Sequence, residues 1–151
     1  MVAILVLFPV VAALIAFLLK ANALRRGLLV GAASLHLALV LSSWVWGAEP
    51  ALGGWLELDA SGRLFLTITS TLFLAASVQA VSYLQAEAHE HGPESTSTGF
   101  AFTKVPEAVF TGCMLLFIST MTFVTVCQHF GLMWVAVEAT TLTSAPLWHS
   151  R

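Results

Sequence analysis

Long uncharged stretches alternate with short polar breaks along this chain, and that spacing predicts helices that cross a membrane. A helix needs about 20 predominantly apolar residues to cover the hydrocarbon core of a bilayer. Val2–Leu19 is the first such run, closed by Lys20, Arg25 and Arg26. Gly27–Gly47 and Leu64–Ala86 are the second and third. From Ala108 to Trp148 the sole acidic or basic residue, His129 aside, is Glu138, and the stretch is too long for one crossing. Gln128-His129, followed by Gly131, divides it into 108–127 and 130–148, joined by a tight turn. The pattern therefore predicts an all-α integral membrane protein, a single domain over residues 1–151 with about five transmembrane helices.

The first run ends near Ala21-Asn22-Ala23, a small-residue pattern typical of signal cleavage. No positive charge precedes the run, and it is longer than a usual signal core, so we read it as a retained helix. Between the second and third runs, Ala48–Gly62 contains Pro50, Gly53-Gly54 and the alternation Trp55-Leu56-Glu57-Leu58-Asp59. Alternation with period two predicts a short strand or hairpin on the outer surface. Glu87–Pro106 is the most polar segment, and its Gly92-Pro93 and Ser95–Thr98 predict a flexible inner loop.

Composition strengthens the membrane reading. The 151 residues are 58% hydrophobic and 9% charged, against about 25% charged in a soluble domain. A net charge of −2 argues against a nucleic-acid partner. Cys113 and Cys127 lie in one apolar stretch, about 21 Å apart if that stretch were a single helix, and cannot bridge each other. Lys20, Arg25, Arg26, Lys104 and Arg151 fall on one side of the membrane if the helices alternate, and Arg63 falls opposite. The positive-inside rule then puts the amino terminus outside and loop 20–26 in the cytoplasm, with Trp44, Trp46 and Trp55 near the outer interface.

Glu138 is the sharpest candidate for chemistry. It is ninth in the run Phe130–Trp148, near the bilayer centre, where a charge costs roughly 2.5–3.5 kcal/mol. Desolvation favours the protonated form of such a group and a nearby cation favours the ionised form; a carboxyl poised between the two can load and release a proton. Gly131, Glu138 and Ala145 recur at seven-residue spacing with Thr141 beside them, giving one small and polar helix side. The same residues would also serve simple helix assembly. His36, tenth in the second run, is a second candidate relay group, because imidazole titrates near neutral pH. Its alternative reading is a neutral ring bonded to a nearby serine or carbonyl. His89-Glu90-His91 lacks zinc-type spacing and reads as a solvated loop rather than a metal site. Gly27 and Gly31 form a G-x-x-x-G that would let another helix approach. The sequence carries no phosphate-binding glycine loop, no iron–sulfur ligand set and no flavin or nicotinamide fingerprint, so no cofactor or metal is assigned.

The segment Gln128-His129-Phe130-Gly131-Leu132-Met133 and its continuation Trp134-Val135-Ala136-Val137-Glu138-Ala139-Thr140-Thr141-Leu142-Thr143-Ser144-Ala145 resembles the antiporter-like membrane subunits of respiratory complex I (NADH-quinone oxidoreductase) and of group 4 membrane-bound hydrogenases, the hydrogenase-4 and formate hydrogenlyase type. Its W-x-A-x-E-A-T-T-L-x-S-A pattern is that of the family's fifth helix. Trp55–Asp59 followed by Gly62-Arg63-Leu64-Phe65-Leu66 is similar to the family's strand leading into the third helix. The resemblance implies that Glu138 is a proton-translocation glutamate whose partner in the family is a lysine on the seventh helix. It further implies a prokaryotic plasma membrane, and a non-catalytic membrane subunit without a redox centre. The lipid bilayer and other membrane subunits of a multisubunit respiratory or hydrogenase complex are the implied partners. Family members continue through further helices, and Pro146-Leu147-Trp148-His149-Ser150-Arg151 departs from their run into the sixth. The expectation is therefore an amino-terminal fragment of a larger subunit. Three other readings stand beside it: a structural membrane subunit, an inactive remnant, and a metal-ion transporter using His89–His91.

Overall fold

The computed structural model describes residues 1–47, 50–90 and 107–148, with backbone alone for 87–90 and 146–148. The described residues form five helices: α1 (Val2–Leu18), α2 (Asn22–Trp46), α3 (Ala60–Glu90), α4 (Glu107–Val126) and α5 (Phe130–Trp148). Three of them are long and apolar enough to cross a membrane: Asn22–Trp46, Glu107–Val126 and the Ala60–Ala86 part of α3. Helix α1 is apolar over 17 residues and a little shorter.

Alanines and leucines share the inside of this bundle, and many large apolar residues lie on its outside. Ala12, Ala13 and Ala16 of α1 meet Ala32 and Ala33 of α2, with Leu29, Phe73, Leu115 and Ile118 filling the space between helices. Leu7, Val11, Leu14, Phe65 and Leu72 are more than half exposed. In water that distribution would be costly, at roughly 25 cal/mol per Å² of apolar surface left wet. In lipid it is favourable, because the acyl chains are as apolar as leucine and association rests on close backbone approach through small residues. Gly112 of α4 makes room for a side chain instead: a Cβ there would lie 2.4 Å from the Phe17 ring of α1.

Helix α4 is the hub. It packs most extensively on α1 and α5 and also touches α2 and α3. Helix α5 touches only α4 among the described elements. It turns Ala136, Leu132, Met133, Ala139, Thr140 and Thr143 toward α4, at the spacing of one helix face.

Polar groups extend two helices past their apolar runs. Arg25 Nε donates to the Ala16 carbonyl (3.2 Å) and Nη1 to Asn22 Oδ1 (2.7 Å), so α2 starts five residues before Gly27. Asp59 Oδ1 accepts from Gly62 N–H (2.6 Å) and caps α3, which begins at Ala60. At its other end α3 continues to Glu90, a turn into the segment read as inner loop. The remainder of that loop, with Gly92-Pro93, Ser95–Thr98, His91 and Lys104, lies outside the described residues, as do Ala48 and Glu49 of the outer loop and His149–Arg151 at the end.

The outer loop corrects the expectation of a strand or hairpin. Among the described residues it has no strand, only the 3-10 turn Leu52–Gly54 and single bridges from Leu56 to Ala51 and to Cys127. The alternation that suggested a strand is real: Leu56 and Leu58 are buried, and Trp55, Glu57 and Asp59 are exposed. Leu56 and Leu58 pack with Leu66, Val126 and Cys127 near the end of α4 rather than in a sheet. Glu57 N–H donates to the Val126 carbonyl (2.9 Å) and Gln128 N–H to the Trp55 carbonyl (2.9 Å). The first of these bonds satisfies one of the carbonyls that every helix end leaves without a donor.

Candidate functional site

The two candidate relay residues occupy different parts of the fold. His36 is 1% exposed and sits where four helices converge. Its Nδ1 is 3.0 Å from Ser70 Oγ on α3 and its Nε2 is 3.1 Å from Thr122 Oγ1 on α4. The Thr122 hydroxyl donates its own hydrogen to the Ile118 carbonyl (2.7 Å), so toward His36 it can only accept. That arrangement suits a neutral ring with its hydrogen on Nε2 and Ser70 donating to Nδ1. Both nitrogens of a neutral imidazole are satisfied in this arrangement.

Helix α1 completes the cluster through its backbone. Pro9 has no N–H, so the Leu5 carbonyl four residues earlier lacks its usual helical donor. That carbonyl faces the His36 ring. One residue on, the Val6 carbonyl accepts from Ser119 Oγ of α4 at 2.7 Å. A proline inside a helix thus coincides with polar contacts from two neighbouring helices. Of these partners, sequence reading anticipated a serine or a carbonyl near His36 without naming which. Ser70, Ser119, Thr122 and Pro9 carried one usable signal, which is that each lies inside an otherwise apolar run.

Glu138 stands apart from this cluster. It is exposed at the middle of α5, on the side away from α4. Gly131, Trp134, Val135, Thr141, Leu142 and Ala145 share that exposed side. Among the described residues Glu138 has no ion pair and no hydrogen bond. Thr141 Oγ1 donates to the Val137 carbonyl (3.2 Å), leaving its lone pairs as acceptors beside the carboxyl. Helix α4 lies between α5 and the helices that carry His36 and Ser70, so the fold does not bring Glu138 and His36 together. The side chains of His89 and Glu90, and all of His91, lie outside the described residues.

A third polar group lies at the opposite end of the bundle from the outer loop. Arg26 Nε donates to Glu107 Oε1 (2.7 Å) and Nη2 to Oε2 (3.1 Å), a two-point pair with side chains 16% and 11% exposed. Arg26 Nη2 also donates to the Leu84 carbonyl (3.1 Å), tying α2 to α3 and α4 at once. The partners are 81 residues apart in sequence, so no local pattern announced the pair. Gly27 and Gly31, read as a helix-approach motif, face open space: a Cβ at either would meet nothing within 4 Å.

Comparison with protein-family models, with curated proteins and with solved structures found no match to this chain.

Proposed function

We propose that this chain is a five-helix membrane subunit, or the amino-terminal part of one, in which Glu138 is a proton-binding group coupled to electron transfer elsewhere in a complex. The observation that carries the reading is a carboxyl at the centre of an apolar helix, on a side that no other described element covers. A mid-membrane carboxyl of this kind is expensive and normally faces a bundle interior or a wet cavity. Its surroundings here, Gly131, Thr141 and Ala145, are small or polar and suit either a closely packed helix or a file of water. The resemblance of residues 128–145 to antiporter-like subunits of complex I and group 4 hydrogenases supports the same role. The placement of Lys20, Arg25 and Arg26 favours an amino terminus outside and loop 20–26 in the cytoplasm of a prokaryote.

The test is Glu138→Gln in the assembled complex, in native membranes. Proton uptake is followed with a pH-sensitive dye while electron transfer is driven by NADH or hydrogen, and assembly is followed on a native gel. Translocation should fall by at least about tenfold, the lower end of what a proton-transfer group contributes, with assembly intact. Unchanged translocation would sink the proposal. Lost assembly with normal turnover in the surviving complex would support the structural-subunit reading instead.

A further inference from the structure

Helix α5 has one uncovered side, and the residues on it keep a regular order. Gly131, Trp134, Glu138, Thr141 and Ala145 are all exposed and follow one another at spacings of three, four, three and four. That is the repeat of about 3.5 residues with which two helices pack side by side along a left-handed seam. The opposite side, where Ala136 is buried, rests on α4. Helix α5 touches no other described helix, so no described element stands in front of the seam.

The seam is shaped for close approach. Gly131 and Ala145, toward its two ends, present little or no side chain, and a Cβ at Gly131 would meet nothing nearer than the His129 ring at 3.4 Å. A helical side chain leans over the turn before it, so the exposed Trp134 ring has the bare Gly131 turn beneath it. Between them stands Glu138, with no ion pair and no hydrogen bond among the described residues. A carboxyl left facing acyl chains is costly, so whatever covers this side has to bring a polar group to the level of Glu138. The chain itself offers one. A protonated carboxyl has one donor and free acceptor lone pairs, so two of them facing across a twofold axis satisfy each other through two O–H to O bonds. Two copies inserted with the same topology run their α5 helices parallel, which sets Glu138 against Glu138. His36, Ser70 and Thr122 of the other helices are already spent on one another. Gln79 of α3 is exposed as well, but a contact between α5 of one copy and α3 of the next is head-to-tail and builds rings or filaments rather than a pair.

We propose that this chain pairs with a second copy of itself along the Gly131–Ala145 side of α5, Glu138 of each copy hydrogen-bonding Glu138 of the other. The proton-binding group is then a two-carboxyl site that the second copy completes. The contact does not depend on proton translocation by Glu138. Glutamine at this position has a donor and an acceptor and keeps the pairing, but it cannot carry the proton.

The full chain, labelled in separate batches with donor and acceptor dyes, is reconstituted in vesicles of phosphatidylcholine and phosphatidylglycerol. Self-association is read by Förster transfer as the lipid-to-protein ratio is varied. The native chain should form a dimer and no larger species. Glu138→Leu should weaken it about tenfold, the loss of two hydrogen bonds at the strength they have within membranes. Glu138→Gln should stay within about twofold of the native chain, since an amide pairs across the same axis; that result supports the contact whatever the variant does to translocation. Gly131→Leu and Ala145→Phe close the seam at opposite ends, and each should weaken pairing at least as much as Glu138→Leu with helical circular dichroism unchanged. If one of them fails to fold, the other decides. On oxidation, Ala145→Cys should give a covalent dimer and Leu72→Cys, exposed on α3, should not. A native chain that stays monomeric at every ratio would leave α5 to a helix of another protein and overturn the proposal. Undiminished pairing in both folded seam variants, or cross-linking at Leu72→Cys as fast as at Ala145→Cys, would overturn it too. So would loss of pairing in Gln79→Leu, which would assign the contact to α3.

Discussion

Replacing Thr122 with valine tests the cluster around His36 most directly, because the change keeps shape and removes one atom's chemistry. In the native chain Thr122 Oγ1 accepts the His36 Nε2 hydrogen at 3.1 Å while donating to Ile118. Valine removes that acceptor, and the donor-less Leu5 carbonyl facing the ring is the alternative the hydrogen would have to reach. A buried donor left unmade costs about 1–3 kcal/mol in general, whereas hydrogen bonds measured within membranes average about 0.6 and reach about 1.7 kcal/mol. We expect Thr122→Val to cost about 1–2 kcal/mol, toward the top of the membrane range, because His36 is 1% exposed and no water reaches it. His36→Leu should cost less than Thr122→Val. It removes the ring, and the two hydroxyls left behind can bond to their own helix: Thr122 already does so, and Ser70 can turn to the Leu66 carbonyl. In the His36→Leu background, Thr122→Val should then cost almost nothing, a coupling of about 1 kcal/mol. The assay is reversible unfolding in mixed micelles titrated with dodecyl sulfate, read by far-ultraviolet circular dichroism. An equal cost for Thr122→Val in both backgrounds would refute the hydrogen-bond assignment. Nitrogen-15 shifts of His36 add a check on the tautomer, which should have Nε2 protonated and Nδ1 bare.

Three further outcomes follow from contacts elsewhere. Glu107→Gln should destabilise the chain by about 2 kcal/mol in the same titration, since it leaves the Arg26 charge half-buried without its two-point partner; a neutral result would mean that the pair is solvent-screened. Gly112→Ala should cost about 1–2 kcal/mol, because the new methyl must displace the Phe17 ring, and Phe17→Ala in the same chain should relieve the clash, leaving Gly112→Ala nearly free in that background. Asp59→Ala removes the cap at Gly62 and should cost about 1 kcal/mol, with hydrogen exchange accelerated over the first turn of α3 and unchanged in α4.

The helices were legible because each is an apolar run, three of them of membrane length, and the polar break at Gln128-His129 sits in the connection between α4 and α5. In lipid, absence of charge is itself the folding signal, so little else is needed to find a helix. What holds the helices together was not legible. His36 meets partners 34 and 86 residues away, and Arg26 meets one 81 residues away. These pairings depend on which helices become neighbours, and one sequence does not encode that locally. The outer loop was misread for a related reason. Period-two burial of Leu56 and Leu58 requires a buried side and an exposed side, and the end of α4 supplies the buried side as well as a sheet would. For Glu138 the sequence gives the residue and its place at the middle of an apolar run, and the fold adds which way it faces.

The attachment of α5 at one end has a mechanical consequence. Where α4 ends, the chain around Cys127–His129 is tied to the loop before α3 by two backbone hydrogen bonds of 2.9 Å, and Trp55 stacks on His129 with ring centroids 5.2 Å apart. Along its length, α5 rests on α4 alone. It is therefore a lever about 28 Å long, pivoted at its first residue. A swing of about 5° at that pivot carries the far tip through about 2.5 Å but moves Glu138, near the midpoint, by only about half as much. Whatever lies against the exposed side of α5 thus meets a carboxyl that shifts little, on a rod whose far tip has the largest travel.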